Sequence, residues 1–213
     1  MKKVVVVDYG MGNIKSVQRG LEKVGATVLV TSNPEVIASA DHLILPGVGA
    51  FAEGMKGLND AGIIPAINEF VQTGKSLLGI CLGMQMLLEQ SEENGMHKGL
   101  GFIPGVVKAI PQQENGIHVR KTPHIGWTFL LNTEHSQNWN SSILRSTNDK
   151  EYFYFVHSYM ASPEDSADLL AYCEYEGMKI TAAVRRDNIT GLQFHPEKSA
   201  DSGLRILQEF LRS

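Results

Sequence analysis

Ser76-Leu77-Leu78-Gly79-Ile80-Cys81-Leu82-Gly83-Met84-Gln85 runs from an apolar segment straight into a cysteine bracketed by two glycines. Residues 84–89 then read as helix-forming. This strand–turn–helix order is the setting of a nucleophile elbow, Gly-x-Nuc-x-Gly, with cysteine as the nucleophile. The backbone at such a turn is cramped, and glycine lets neighbouring chains approach closely enough to form it. The side chain then projects from a strand tip over the start of the next helix. Orphan N–H groups there favour a thiolate and any oxyanion formed beside it. A buried structural cysteine is the competing reading of the pentapeptide alone.

Far downstream, Gly191-Leu192-Gln193-Phe194-His195-Pro196-Glu197 leads an apolar strand into a histidine, with a carboxylate two positions on. In extended chain, residues i and i+2 share a face, so Glu197 can orient the His195 imidazole. Pro196 between them has no N–H to satisfy. Cys81, His195 and Glu197 together make the triad of an activated nucleophile.

The elements around these two stretches alternate. Residues 4–7 are four valines, the pattern of a strand covered on both faces. A glycine-rich loop, Asp8-Tyr9-Gly10-Met11-Gly12-Asn13, precedes a helix over 14–24. The loop lacks the third glycine of a dinucleotide fingerprint and any Gly-Lys-Ser/Thr, so it reads as a close-contact loop. Residues 27–30 form a strand, Asn33-Pro34 opens a helix to 39, and 42–45 form a third strand. That strand runs into Pro46-Gly47-Val48-Gly49. Acyl transfer at a cysteine needs two N–H donors aimed at the oxyanion. The Leu82 amide can supply one, and the backbone of Val48 or Gly49 the other. Flanking glycines let that peptide rotate at low steric cost. Gln85, one helical turn after Cys81, can face the same pocket.

Residues 58–73 read as helical, with Pro65 near the start of a new helix. Residues 95–105 read as loop, 105–110 as a short strand, and 111–121 as polar and turn-rich. Strands are expected at 123–131 and 152–159, and a hairpin at 169–175/178–184 about Glu176-Gly177. Cys173 within it reads as an inert strand residue. The polar stretch 132–150 reads as surface loop, with no role for Trp139. Residues 202–211 close the chain as an amphipathic helix. The whole reads as one domain over 1–213: a three-layer α/β/α, flavodoxin-like fold about a mixed, mostly parallel sheet. Ligands bind outside the carboxyl ends of such strands, so the loops at Asp8, Pro46, Cys81 and His195 should share one rim.

Composition sets bounds. The 213 residues are 43% hydrophobic and 20% charged, with net charge −4 and no basic face for nucleic acid. Only two cysteines occur, Cys81 and Cys173, and no CxxC or HExxH motif, so neither metal nor cofactor has support. Residues 4–7 are too short for a signal core, and no stretch reaches membrane-span length. A reduced, cytoplasmic setting is expected.

The motifs Pro46-Gly47-Val48-Gly49, Gly79-Ile80-Cys81-Leu82-Gly83-Met84-Gln85 and Gln193-Phe194-His195-Pro196-Glu197 resemble those of the class I (triad) glutamine amidotransferases. Three more stretches, Asp8 to Asn13, Pro123-His124-Ile125-Gly126-Trp127 and Tyr154-Phe155-Val156-His157-Ser158-Tyr159, look like one branch of that family. Its glutaminase subunits pass ammonia to a (β/α)8-barrel cyclase that makes imidazole glycerol phosphate in histidine biosynthesis. The resemblance implies that Cys81 attacks the side-chain amide of L-glutamine, with His195 as base and Glu197 as its orienter. It implies an oxyanion hole from Val48 and Leu82, with Val48 completing it only when the partner is engaged. It places the substrate on Gly49, Gln85, His157, Ser158 and Tyr159. The cyclase would form a heterodimer across Asn13, Trp127 and Lys198. The family usually carries Asn where Thr128 stands, which leaves open a paralogous synthase that amidates surface sugars. A γ-glutamyl peptidase and a docking subunit with a vestigial triad are the other readings.

Overall fold

The computed structural model describes residues 3–114, 117, 118, 120–132, 139–148 and 150–213. Its main sheet is built from β1 (Lys3–Val7), β2 (Thr27–Thr31), β3 (His42–Gly47), β4 (Leu77–Cys81) and three later strands. Between the first four lie α1 (Ile14–Lys23), α2 (Pro34–Ala38), α3 (Phe51–Asp60) and α4 (Ile64–Gln72). After β4 come the short helix α5 (Leu82–Met86), β5 (Leu88–Ser91), β6 (His97–Lys98), β7 (Ile103–Ala109), β8 (Gln113–Glu114) and β9 (Ile117–His118). The remainder is β10 (His124–Phe129), β11 (Tyr152–His157), β12 (Tyr159–Pro163), β13 (Leu169–Tyr175), β14 (Met178–Arg186), β15 (Ile189–Leu192) and α6 (Ala200–Phe210).

The order across the main sheet is β13-β14-β15-β4-β3-β1-β2. The run from β15 to β2 is parallel, and β13 and β14 are antiparallel. The pleat sorts side chains by parity. Val4, Val6, Leu78 and Ile80 face a core closed by Val17 and Leu21 of α1 and by Ile206, Leu207 and Phe210 of α6. Val5, Val7 and Leu77 face a second core against Phe51, Leu58, Ile67 and Phe70 of α3 and α4. The three-layer mixed sheet anticipated from the sequence is therefore present. A four-stranded sheet, β12-β7-β5-β6, and a β10–β11 ribbon are added to it.

Several local expectations need correction. The helix anticipated over 84–89 ends at Met86, because Leu88 and Ser91 are buried in β5, which pairs with β7. Packing overrides local propensity there. The new helix expected near Pro65 is α4, which begins at Ile64, whereas the loop expected at 95–105 contains β6 and the start of β7. The strand at 152–159 breaks at Ser158, since β11 pairs with β10 and β12 with β7. The hairpin turn stands as expected, with Glu176 and Gly177 both at positive φ (46° and 77°). Within 111–121, β8 and β9 pair, while 115, 116 and 119 lie outside the described residues.

The segment 132–150 is less of a surface loop than its composition implies, although 133–138 and 149 lie outside the described residues. Trp139 is 7% exposed, and its Nε1 donates to the Leu170 carbonyl at 2.9 Å. Ile143 and Leu144 are buried in the same core. Trp139→Ala should therefore cost about 3–5 kcal/mol of stability in urea unfolding. A loss below about 1 kcal/mol would restore the loop reading.

Candidate functional site

Strands β15, β4, β3 and β1 are adjacent and parallel, so their carboxyl ends deliver Gln193–His195, Cys81, Val48 and Asp8 to one rim. Cys81 sits opposite Gly47 in the β3–β4 register. Its backbone is at φ 55°, ψ −110°, a conformation costing an L-residue about 1–3 kcal/mol. The glycines on either side explain how the turn is tolerated. A Cβ on Gly83 would lie 1.8 Å from the Leu45 carbonyl oxygen, and one on Gly79 would lie 2.8 Å from that of Gly83.

His195 and Glu197 meet by a different route from the extended one expected. Pro196–Lys198 is a 3-10 turn capped by His195, because proline's fixed φ suits the first helical position. The turn brings Glu197 Oε1 to 2.8 Å from His195 Nδ1. Nδ1–H donates to the carboxylate, which leaves the Nε2 lone pair to take a proton. Nε2 is buried and makes no hydrogen bond among the described residues. Burial opposes the imidazolium, but the Cys81 sulfur and the Glu197 carboxylate outweigh it and raise the His195 pKa to about 9. Two backbone pins hold the turn against β11. The His195 N–H donates to the Tyr154 carbonyl at 2.9 Å, and the Tyr154 N–H to Ser199 Oγ at 2.9 Å. Ser199 Oγ also donates to the His195 carbonyl at 2.7 Å.

A cavity of about 310 Å³ opens on this rim. Its wall includes Cys81, His195, Val48, Gly49, Leu82, Gln85, His157, Ser158 and Tyr159, so every expected oxyanion-hole and substrate residue reaches it. Gly49 stands at φ +102°, which favours glycine. Gln85 Nε2 donates to the Tyr159 carbonyl and to Gln193 Oε1, both at 3.1 Å. His157 is buried, which lowers its pKa to about 3 despite its bond to the Tyr159 carbonyl. Burial lowers His124 to about 4.

The sequence reading missed three groups. Glu93 lines the cavity and accepts from the Phe51 N–H at 2.7 Å. Gln193 is fully buried, with Nε2 3.8 Å from the Cys81 sulfur. Tyr9 donates to the Pro46 carbonyl at 2.7 Å and clamps the end of β3. Its burial, then the Cys81 charge, raise its pKa and keep the phenol a donor. Only Gln193 stood in a quoted catalytic motif; Glu93 becomes visible only once β5 is placed.

Beside the cavity, the β10–β11 ribbon presents Trp127, 51% exposed, edge-on to Tyr154 at 6.0 Å. Lys198 Nζ lies 5.8 Å from the centre of the Tyr154 ring. Asn13 lies at the cap of α1, where its side chain makes no capping bond. No helix among the described residues is long and apolar enough to cross a membrane.

A family model described as glutamine amidotransferase class-I matches residues 5–213. The chain is 46% identical over 212 residues to "Imidazole glycerol phosphate synthase subunit HisH 1" of Legionella pneumophila (strain Lens), covering 100% of both chains. It is 48% identical over 209 residues to the subunit HisH of Syntrophotalea carbinolica, covering 97% of this chain and 98% of that one. Among solved structures, a glutamine amidotransferase superposes with TM-score 0.72 at 18% identity, covering 98% of this chain and 97% of that one. PurLQS from Thermotoga maritima superposes with TM-score 0.70 at 21% identity, covering 100% and 99%. At those identities the two structures speak to the fold.

The buried histidines give the site an acid limit. His124 and His157 bind protons less readily folded than unfolded, so unfolding is favoured as pH falls from 6.5 toward their lowered pKa values near 4 and 3. His195 acts in the opposite direction. Its contribution is complete below about pH 6.5 and is lost as pH rises through about 9. In urea unfolding across pH 4–10, His195→Asn should close its stability gap to the parent on the alkaline side. A gap that widens there would contradict the assigned pairing.

Proposed function

The chain belongs to the class-I glutamine amidotransferase family, and from that we propose that it hydrolyses L-glutamine at Cys81 and hands the ammonia to a cyclase subunit. The observation that carries the reading is the meeting of the Cys81 thiol, the His195–Glu197 pair and a cavity of about 310 Å³ on one sheet rim. His195 Nε2 holds the proton given up by Cys81 while the sulfur attacks the side-chain carbonyl carbon of glutamine. The oxygen becomes an oxyanion held by the Leu82 N–H and by a backbone N–H of Val48 or Gly49. Collapse breaks the C–N bond, and the imidazolium returns its proton to nitrogen, which leaves as ammonia. Water, deprotonated by His195, then cleaves the γ-glutamyl thioester to glutamate and regenerates the thiol.

Glu93, the carboxylate in the cavity wall, complements the substrate's α-ammonium group. Ammonia free in water is protonated and no longer nucleophilic, so its acceptor must dock over the rim. The exposed Trp127, with Lys198 and Asn13, provides that face for a (β/α)8-barrel cyclase making imidazole glycerol phosphate in histidine biosynthesis. Relatives sharing 43–48% of the sequence bear the name of that synthase's subunit, which favours this acceptor over a sugar-amidating one. Residues 1–213 act as one catalytic domain, and a reducing cytoplasm keeps Cys81 a thiol.

Glutamate release from L-glutamine, with and without the cyclase and its nucleotide, tests the reading. Adding both should raise the rate by more than about tenfold. Cys81→Ala should abolish hydrolysis while leaving complex formation intact by analytical ultracentrifugation. Hydrolysis surviving in that variant would remove Cys81 from the chemistry, and a rate indifferent to the cyclase would remove the acceptor.

A further inference from the structure

Behind the glutamine cavity runs a hydrogen-bond chain, buried at His124 and His157, that the reaction does not use. His157 Nδ1 lies 2.8 Å from the Tyr159 carbonyl, His157 Nε2 lies 3.0 Å from His124 Nδ1, and His124 Nε2 lies 2.9 Å from Thr128 Oγ1. We propose that Thr128 and His124 are positioning residues for the glutamine pocket, holding Gln85 in place through His157 and the Tyr159 carbonyl. The inference rests on the glutaminase reading of that pocket.

The inner end fixes the direction of every bond. A carbonyl has no proton to give, so His157 Nδ1 must donate to Tyr159. A neutral imidazole carries one N–H, so His157 Nε2 accepts, and the donor facing it is His124 Nδ1–H. His124 Nε2 is then a lone pair, and only a donor can meet it. The Thr128 hydroxyl is that donor. Burial holds both rings neutral, in keeping with one proton each. His124 has little freedom to turn away, since it is stacked between Phe155 and Tyr175 at centroid distances of 5.0 and 4.1 Å.

At its inner end the chain reaches the chemistry. The Tyr159 carbonyl also accepts from Gln85 Nε2, whose second hydrogen goes to Gln193 Oε1. Gln193 Nε2 in turn points at the Cys81 sulfur from 3.8 Å. At its outer end the chain starts on β10, one residue from the exposed Trp127. If the Thr128 donor is lost, the Nε2 lone pair is stranded in a buried site. The His124 tautomer then exchanges, and lone pairs oppose one another along the relay until the Tyr159 carbonyl and Gln85 shift.

The test uses the full chain in complex with its cyclase. Thr128→Val keeps the shape and removes the hydroxyl; it should raise the glutamine KM about tenfold while changing kcat less than about threefold. Thr128→Ser keeps the donor and should return the KM to the parental value. Histidine-labelled 15N spectra of the parent should show His124 and His157 both protonated at Nδ1. An unchanged KM in Thr128→Val, a serine variant as impaired as the valine one, or a proton on Nε2 of either ring overturns the proposal. If the parent releases no glutamate, the glutaminase reading fails instead, and the 15N spectrum alone then decides whether the relay exists.

Discussion

The backbone of Cys81, held at positive φ between a strand and a helix, is the constraint to which the rest of the molecule answers. An L-residue stays there only if its surroundings leave no alternative. Those surroundings are two close approaches that glycine alone permits, Gly83 onto Leu45 and Gly79 onto Gly83, together with burial of every residue of α5. The strain has a use. It turns the sulfur out of the sheet at the point where β3 and β15 end on either side, so a loop with candidate N–H donors and a histidine both come within reach.

Around that point, polar groups are organised by donors whose direction is forced. Glu197 orients His195, Ser199 and the backbone of β11 hold the turn that carries both, and Tyr9 clamps the loop leading to Val48. Strand β11 therefore serves two sites. Its backbone pins the turn that carries His195 and Glu197, while its side chain at Tyr154 faces Trp127 of the exposed ribbon and Lys198 of that same turn. A partner seated on that ribbon would touch the elements that set the geometry of His195.

Much of this was legible in the sequence, and the boundary has physical causes. The four valines of β1 and the strand–glycine ends of β3 and β4 announce themselves because parallel strands buried on both faces need continuous apolar residues. The bracketing of Cys81 and the spacing of His195 and Glu197 are local, so they survive in one dimension. The route by which those two meet was not legible, since it depends on whether the chain after Pro196 stays extended or turns. Leu88 and Glu89 read as helix because their strand character comes from β7, about fifteen residues away. Trp139 looked idle because its partner, the Leu170 carbonyl, lies across the fold. The link from His124 to His157 depends on the β10–β11 register, which places the two opposite each other. No pattern in either strand alone encodes it.

The most direct measurement is the mass of the intact chain quenched in acid during turnover of L-glutamine, followed by peptide mapping. A γ-glutamyl adduct confined to Cys81 should appear with substrate and disappear as it is exhausted. Sustained glutamate release with no adduct at Cys81, or an adduct on Cys173 instead, would contradict the assignment of Cys81 as nucleophile.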